Sequence, residues 1–207
     1  SAYTSAQSTL EEVIVTAEHG STPLLQTASS VTVLGADDLR QGGIAHFEDL
    51  LRQIPNVTAS SGASRSRFFQ IRGIGERSQY QEPVNPSVGL LIDGVDYSGL
   101  GLTASTLDIQ QIEVLRGPQG TLHGANALAG LIVMQSHAPD QTAANTLSLG
   151  SGNYGTRAAH WISNGGANEN IRYRLVIGHN VSDGYIDNLY LGRSDTNNRD
   201  ERQARLR

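Results

Sequence analysis

The sequence predicts a small mixed α+β domain over about residues 12–137, followed by antiparallel strands over residues 145–207. Before residue 137, short β-branched and apolar runs alternate with short helical patterns that end at Gly or Pro. After it, polar and apolar residues alternate along longer segments that Gly- and Asn-rich turns separate. The 23 glycines also favour turns and strands over long helices.

Composition excludes several classes of function. The chain has no cysteine, which excludes disulfides and thiolate metal sites. Its 15 basic residues are all arginine and not clustered, and the net charge is −5, so nucleic-acid binding is not expected. The six histidines lack metal-ligand spacing, and no nucleophile with a base is recognisable, so an enzyme is not expected. No apolar run reaches the roughly 18 residues of a membrane helix.

The N-terminus combines a polar tail with a strand signal. Residues 1–11 are mostly small and polar, which predicts a flexible tail. The β-branched run Glu12–Thr16 follows. One interpretation is the first strand of the domain, and the other is an extended docking strand that pairs with the sheet of a partner protein.

Two short helices follow the first strands. A strand is predicted at Val31–Leu34 and a helix at Gly35–Gln41, with two acidic residues in its first turn and Gly42–Gly43 at its end. A second helix is predicted before Pro55 from apolar residues at helical spacing. These apolar residues are expected in the core: Phe47, Leu50, Leu51 and Ile54.

The remaining strands of the first domain surround turn signals. They are predicted at Phe68–Arg72, Val88–Ile92, Ile112–Leu115 and Leu131–Met134. Asp93–Gly94 indicates a tight turn more than a carboxylate site for Ca²⁺. A phosphate-binding loop is rejected because no Gly-Lys-Ser/Thr follows the glycines after residue 116.

Beyond a linker at residues 138–144, the pattern is that of exposed sheet strands. In the segment Ile171–Ile177, one face is apolar and the other carries arginines, as in strands of outer-membrane barrels, although a soluble β-sandwich shows the same alternation. Three or four strands cannot close a barrel, so we expect a part of a longer protein. Further strands are predicted at Leu147–Leu149, Thr156–Ser163 and Glu201–Arg207. A turn is predicted at Asn164–Asn170 and a polar loop at Ser182–Arg199.

Three motifs in this order carry a family resemblance: Ile71–Arg72–Gly73–Ile74, Gly89–Val95, and Ile112–Pro118 continuing to Val133. Together they resemble the plug domain of TonB-dependent outer-membrane receptors. The resemblance implies a plug domain with the first, incomplete set of strands of a transmembrane β-barrel. It also implies a bacterial outer-membrane protein whose plug lies inside the barrel.

The resemblance favours the docking interpretation of the N-terminal strand. The residues Glu12, Val13, Ile14, Val15 and Thr16 resemble the TonB box, which in this family faces the periplasm. The implied partner is the C-terminal domain of TonB, acting with its inner-membrane energising complex. The implied function is active import of a scarce ligand, with the plug gating the barrel.

Other site residues are implied by the resemblance alone. Arg72 and Arg116 match arginines that pair with carboxylates of the barrel wall. Ligand contacts are expected on outward plug loops, at Arg65, Arg67, Arg77, Gln79, Tyr80 and Tyr97. A ferric siderophore is the expected ligand, while haem, cobalamin, nickel chelates and oligosaccharides stay open. Iron would be carried as the chelated substrate, so no cofactor is expected.

The alternative function belongs to another class. A soluble periplasmic α/β binding or interaction module followed by a β-sandwich would show similar strand patterns without any transport role. The reading frame beyond residue 207 distinguishes the two, because further lipid-type strands support the receptor.

Overall fold

The computed structural model describes residues 14–16, 22–23, 26, 29–39, 44–61, 65–78 and 80–207. The chain divides into two compact units. The first unit comprises Ser1–Ser61, Ser66–Ser105 and Ile109–Gln135, and the second comprises Gly62–Arg65, Thr106–Asp108 and Ser136–Arg207. The predicted tail 1–11 and the predicted helix end at Gly42–Gly43 lie outside the described residues. The domain bounds drawn from the sequence stay a prediction.

The described part of the first unit consists of short strands and single-turn helices. Its strands are β1 (Ile14–Val15), β2 (Thr22–Pro23), β3 (Ser30–Gly35), β4 (Val57–Ala59), β5 (Phe69–Ile71), β6 (Val88–Ile92), β7 (Val95–Asp96), β8 (Ile109–Arg116) and β9 (Gly130–Ser136). Its helices are α1 (Ala36–Leu39), α2 (Gly120–His123) and two 3-10 turns, Phe47–Leu50 and Gly101–Thr103.

A mixed five-stranded sheet organises the first unit. The strand order is β3-β8-β9-β6-β7, with β3 antiparallel to β8, β6 parallel to β9 and β7 antiparallel to β6. The central strands β8 and β9 are buried along most of their length. Part of their apolar side chains join Phe47, Leu50 and Ile54 in the main core, and the others form a smaller second cluster. The mixed α+β class predicted from the sequence is therefore confirmed.

The hairpin between β6 and β7 closes at the predicted tight turn. Asp93 and Gly94 have φ angles of 50° and 81°. Positive φ at both central residues is the geometry of a type I′ turn, which suits the twist of a two-residue hairpin. Asp93–Gly94 is thus a structural turn, and Ile92 lies opposite Val95 across it.

The helices are shorter than the sequence predicts. Gly35 belongs to β3, and its N–H donates to the Asp38 carboxylate at 3.0 Å, so α1 begins only at Ala36. The second helix is a single 3-10 turn, Phe47–Leu50. It begins there because His46 Nδ1 accepts from the Glu48 N–H at 3.1 Å, while Asp49 accepts from the His46 N–H at 2.9 Å, a capping box.

A four-stranded antiparallel sheet forms most of the second unit. Its strands are β10 (Ala144–Ser151), β11 (Arg157–Asn168), β12 (Ile171–Ser182) and β13 (Arg199–Leu206), paired in chain order. The predicted fourth strand and the polar loop before it are present. The sheet is open, with β10 and β13 at its edges. Among the described residues, no helix is long and apolar enough to cross a membrane.

The predicted turn at Asn164–Asn170 is too long, because β11 continues to Asn168 and only residues 169–170 form the turn before β12. Asn164 lies opposite Arg174 in the ladder, and its side-chain amide donates to the Asp140 carboxylate at 2.9 Å and the Thr142 carbonyl at 2.7 Å. Gly165 faces the Tyr173 ring, which covers the position where a side chain would stand. Tertiary contacts therefore outweigh the local preference of Asn and Gly for turns.

The two faces of this sheet differ in chemistry. One face exposes large apolar side chains, although exposed sheet faces in water are normally polar. They include Leu147, Leu149, Trp161, Ile171, Tyr173, Ile177 and Leu206. The opposite face carries hydrogen-bonded polar side chains, as in the 2.8 Å bond between His160 and Asn180. The predicted alternation in Ile171–Ile177 agrees with this division.

Candidate functional site

The described part of the predicted docking segment Glu12–Thr16 is Ile14, Val15 and Thr16, while Glu12 and Val13 lie outside the described residues. Ile14 and Val15 form β1, which pairs antiparallel with β2. The Val15 side chain is fully buried, whereas Ile14 is 40% exposed. The sequence favours an edge-exposed strand, but in this structure the backbone and one side chain of the segment are already engaged.

A buried carboxylate holds the end of this segment. Glu113 of β8 is 0% exposed, and its Oε1 accepts from the Thr16 N–H at 2.9 Å and from the Thr16 hydroxyl at 2.6 Å. Gln111 donates to the same oxygen and to the Ile14 carbonyl, both at 2.8 Å. Gln135 donates to the Thr16 hydroxyl. We call Gln111, Glu113 and Gln135 the Glu113 clamp.

Sequence reasoning missed the Glu113 clamp. The available signal was Glu113 itself, a single acidic residue between Ile112 and Val114 in an otherwise apolar run. A carboxylate in a buried strand needs hydrogen-bond donors. Nothing in the sequence identifies the donor, because Thr16 lies 97 residues away.

The two arginines assigned to plug–barrel ion pairs have different surroundings. Arg116 is buried, and its guanidinium donates to the Pro55 carbonyl at 2.9 and 3.1 Å and to the Thr32 hydroxyl at 2.7 Å. Burial, with the nearby charge of Arg72, lowers the pKa of Arg116. Arg72 is exposed and has a φ of 55°. Pairing of either residue with a barrel wall stays a prediction.

The structure divides the predicted ligand-contact residues into engaged and exposed groups. Arg65 forms an ion pair with Glu201 at 2.7 Å, and Arg67 pairs with Glu82 at 2.9 Å while lying over the Phe68 ring. Tyr97 packs against the hydrophobic core. These three side chains have structural partners within their own units.

Arg77 and Tyr80 remain exposed on the loop between β5 and β6, whereas Gln79 lies outside the described residues. Tyr80 is 95% exposed, and the nearby Val84 is 92% exposed. Glu76 fixes the base of this loop, because its carboxylate accepts from the Ser87 N–H and hydroxyl at 3.0 and 2.9 Å. The loop thus presents an aromatic and an apolar side chain from a fixed base.

A second buried carboxylate, Asp108, organises the second unit. Its side chain is 3% exposed and accepts two hydrogen bonds from Arg174, at 2.8 and 2.5 Å. His137 Nδ1 lies 3.4 Å from the same carboxylate and Arg205 lies 3.8 Å from it. Burial opposes ionisation, but the bonds from Arg174 and His137 outweigh it and hold the pKa of Asp108 at about 2. The hydrogen bond to Asp108 raises the pKa of His137.

Replacing His137 with glutamine is expected to change the pH dependence of stability. A raised pKa means that the His137 contribution is complete below 6.5 and is lost as the pH rises through the folded value. The lowered pKa of Asp108 makes its contribution complete above 3.8 and lost towards pH 2. Urea midpoints of the wild type and His137→Gln should differ most between about pH 4 and 6.5 and converge above that range. A difference independent of pH would contradict the assignment.

No grouping of three or more His, Asp or Glu side chains that could hold a metal ion occurs in the described portion of the chain. The two carboxylate clusters described above are satisfied by protein donors. Their chemistry is therefore that of fixing one segment against another.

Comparison with known proteins identifies the family. A model described as the TonB-dependent receptor plug domain matches residues 23–131, more than half of the chain. The pesticin receptor of Yersinia pestis is 29% identical over 196 residues, covering 94% of this chain and 29% of the relative. The vitamin B12 transporter BtuB of Vibrio vulnificus is 26% identical over 183 residues, covering 86% of this chain and 29% of the relative.

Solved structures agree with this match. The ferric yersiniabactin uptake receptor FyuA from Yersinia pestis has a TM-score of 0.68 and 27% identity, covering 80% of this chain and 26% of that one. The ferripyoverdine receptor of Pseudomonas aeruginosa, at 19% identity and a TM-score of 0.69, shows the same fold over 84% of this chain and 23% of that one. The chain spans less than a third of the length of the curated relatives given above. It belongs to the TonB-dependent receptor plug domain family.

Proposed function

We propose that this chain is the N-terminal part of an outer-membrane receptor that imports a scarce ligand with energy delivered by TonB. The single observation that carries the proposal is the plug-family match over residues 23–131. Relatives named for pesticin, ferrioxamine and vitamin B12 are receptors or transporters. In this proposal the chain has no catalytic role, and the segment Glu12–Thr16 faces the periplasm.

The second unit supports a membrane location over the soluble β-sandwich alternative. A β-sandwich buries its apolar face against a second sheet. Here the apolar face of β10–β13 is exposed, with Leu149 at 75% and Leu147 at 67%. The polar side chains are on the opposite face, the arrangement of a barrel strand with lipid outside and a polar interior.

The proposed TonB contact is the backbone of the docking segment. A strand that adds to a partner sheet gains affinity from main-chain hydrogen bonds and register from alternate side chains. Ile14 and Val15 already have the extended conformation in β1. β1 already pairs with β2, and the Ile14 carbonyl and the Thr16 N–H are bonded to Gln111 and Glu113. TonB therefore has to displace one of these sets of bonds when it adds a strand.

The proposed ligand is a ferric siderophore, and the loop that carries Tyr80 is its proposed contact surface. Tyr80 and Val84 are exposed, which suits contact with the organic part of a chelate. Arg77 is exposed on the same loop and supplies a positive charge, whereas Arg65 and Arg67 are paired with glutamates. The receptor would therefore recognise the ligand mainly through contacts with its organic groups, and less through charge attraction by a cluster of arginines.

Growth of a receptor-deletion strain tests the proposal. The complete receptor that contains this chain is returned on a plasmid, and growth is measured with a panel of iron sources, with haem and with cobalamin. We expect growth on a ferric siderophore, and only in cells that have TonB. Equal growth without TonB would contradict the proposed function. Growth with cobalamin and with no iron source would show that the ligand is cobalamin and not a ferric siderophore.

A further inference from the structure

The best-defined polar arrangement of the first unit, outside the proposed ligand loop, is the Glu113 clamp on Thr16. We propose that this clamp is the positioning element that holds the docking segment on the plug and sets the fraction of receptors in which TonB can bind it. The inference rests on the proposed TonB contact. It assigns control of the release of the docking segment to three residues of strands β8 and β9, which lie outside the segment itself.

Glu113 is the central group of the clamp because it is charged and buried. A buried carboxylate is stable only when donors surround it. Two of its donors are the N–H and the hydroxyl of Thr16. Release of the segment removes both donors at once, so the release is opposed by the cost of leaving a buried charge less satisfied.

The clamp recognises Thr16 by its hydroxyl as well as by its backbone. The hydroxyl donates to Glu113 and accepts from the Gln135 amide, so both hydrogen-bonding functions of the group are used. Gln111 adds a bond to the Ile14 carbonyl at 2.8 Å, which fixes the backbone two residues earlier. A valine at position 16 keeps the shape but cannot make the hydroxyl bonds.

The clamp and TonB compete for the same segment. When only a fraction of the protein is in the binding-competent state, the apparent Kd equals the intrinsic Kd divided by that fraction, so binding is weaker. The segment pairs with β2, and the clamp bonds the Thr16 N–H and the Ile14 carbonyl, so the clamped state is not the state that adds a strand to TonB. Loosening the clamp should therefore strengthen apparent TonB binding although no TonB contact is changed.

Spin labelling tests the release step without TonB. A nitroxide is attached to Ile14→Cys in the complete receptor, in which any other cysteine is replaced by serine, and the ratio of mobile to immobile spectral components is measured in detergent micelles. We expect Glu113→Gln to raise this ratio about three- to tenfold, because a neutral acceptor bonds more weakly than a carboxylate. Gln135→Met should raise it less.

Matched controls come from neighbouring residues. Gln110 precedes Gln111 on β8 but is exposed, so Gln110→Met should leave the ratio unchanged. Thr16→Ser keeps the hydroxyl and should behave as the wild type, whereas Thr16→Val should release the label. If Glu113→Gln does not reach the outer membrane, Gln135→Met and the two Thr16 variants decide the question.

Binding of the TonB C-terminal domain to the same receptors gives the second measurement. We expect the Kd to fall about three- to tenfold in Glu113→Gln and to stay constant in Gln110→Met. Unchanged label mobility in Glu113→Gln, Gln135→Met and Thr16→Val would overturn the clamp. A released segment that binds no TonB would instead refute the proposed function and leave the clamp standing.

Discussion

Replacing Gly130 with alanine is expected to destabilise the five-stranded sheet of the first unit strongly. Gly130 begins β9 with a φ of 157°, where side chains are rarely tolerated. An added Cβ would lie 2.4 Å from the Leu115 carbonyl oxygen and 2.6 Å from Ile71 Cδ1. Since the oxygen belongs to a central strand, it cannot move away easily, and we expect a loss of roughly 3 kcal/mol or more.

Hydrogen exchange of the receptor, followed by mass spectrometry, measures this effect. Peptides from β8 and β9 should lose their protection in Gly130→Ala. Gly120→Ala is the matched control, because Gly120 has open space around its Cβ position and lies in α2. Its protection should equal that of the wild type. Protection equal to that of the wild type in Gly130→Ala would contradict the close contact of Gly130 with Leu115 and Ile71.

Replacing Asp108 with alanine should cost the second unit about 3–5 kcal/mol, because a buried charge pair loses one partner. Arg174 would lose both of its bonds to the carboxylate, and Arg205 would lose a nearby counter-charge. The thermal midpoint of the purified receptor in detergent, followed by its heat-dependent mobility in gels, measures the change. Removing Arg174 as well, in Asp108→Ala with Arg174→Met, should recover part of the loss.

An exposed pair of similar geometry is the control for Asp108. Arg193 bonds both oxygens of Asp195, at 2.9 and 3.0 Å, but the two side chains are 58% and 43% exposed. Exposed ion pairs contribute little because water screens them, so Asp195→Asn should leave the thermal midpoint nearly unchanged. Equal effects at the two sites would show that Asp108 is not buried in the receptor.

The local features of the fold were predictable because each depends on a few neighbouring residues. Asp93–Gly94 specifies its turn through positive φ angles, and the apolar runs at Val88–Ile92 and Ile112–Leu115 specify buried strands. The family resemblance rests on the same segments and is confirmed by the match to residues 23–131. The helices were overestimated because Phe47 and Ile54 pack at helical spacing although the helix ends at Leu50.

The polar contacts were not predictable because their partners are distant in the sequence. Thr16 and Glu113 are 97 residues apart, and Arg65 and Glu201 are 136 apart. Sequence patterns indicate that Glu113 needs a donor and that Arg65 is charged, but not which residue each meets. For this reason Arg65 was assigned to ligand contact, a role that stays a prediction, while the structure gives it an ion-pair partner.

The most direct test of the central claim is binding of the TonB C-terminal domain to a peptide of residues 11–17. Calorimetric titration should show binding of the natural peptide. Val13→Pro should weaken it at least about tenfold, because proline removes a backbone donor from the added strand. Equal affinity of the two peptides, or no binding of the natural one, would contradict the account.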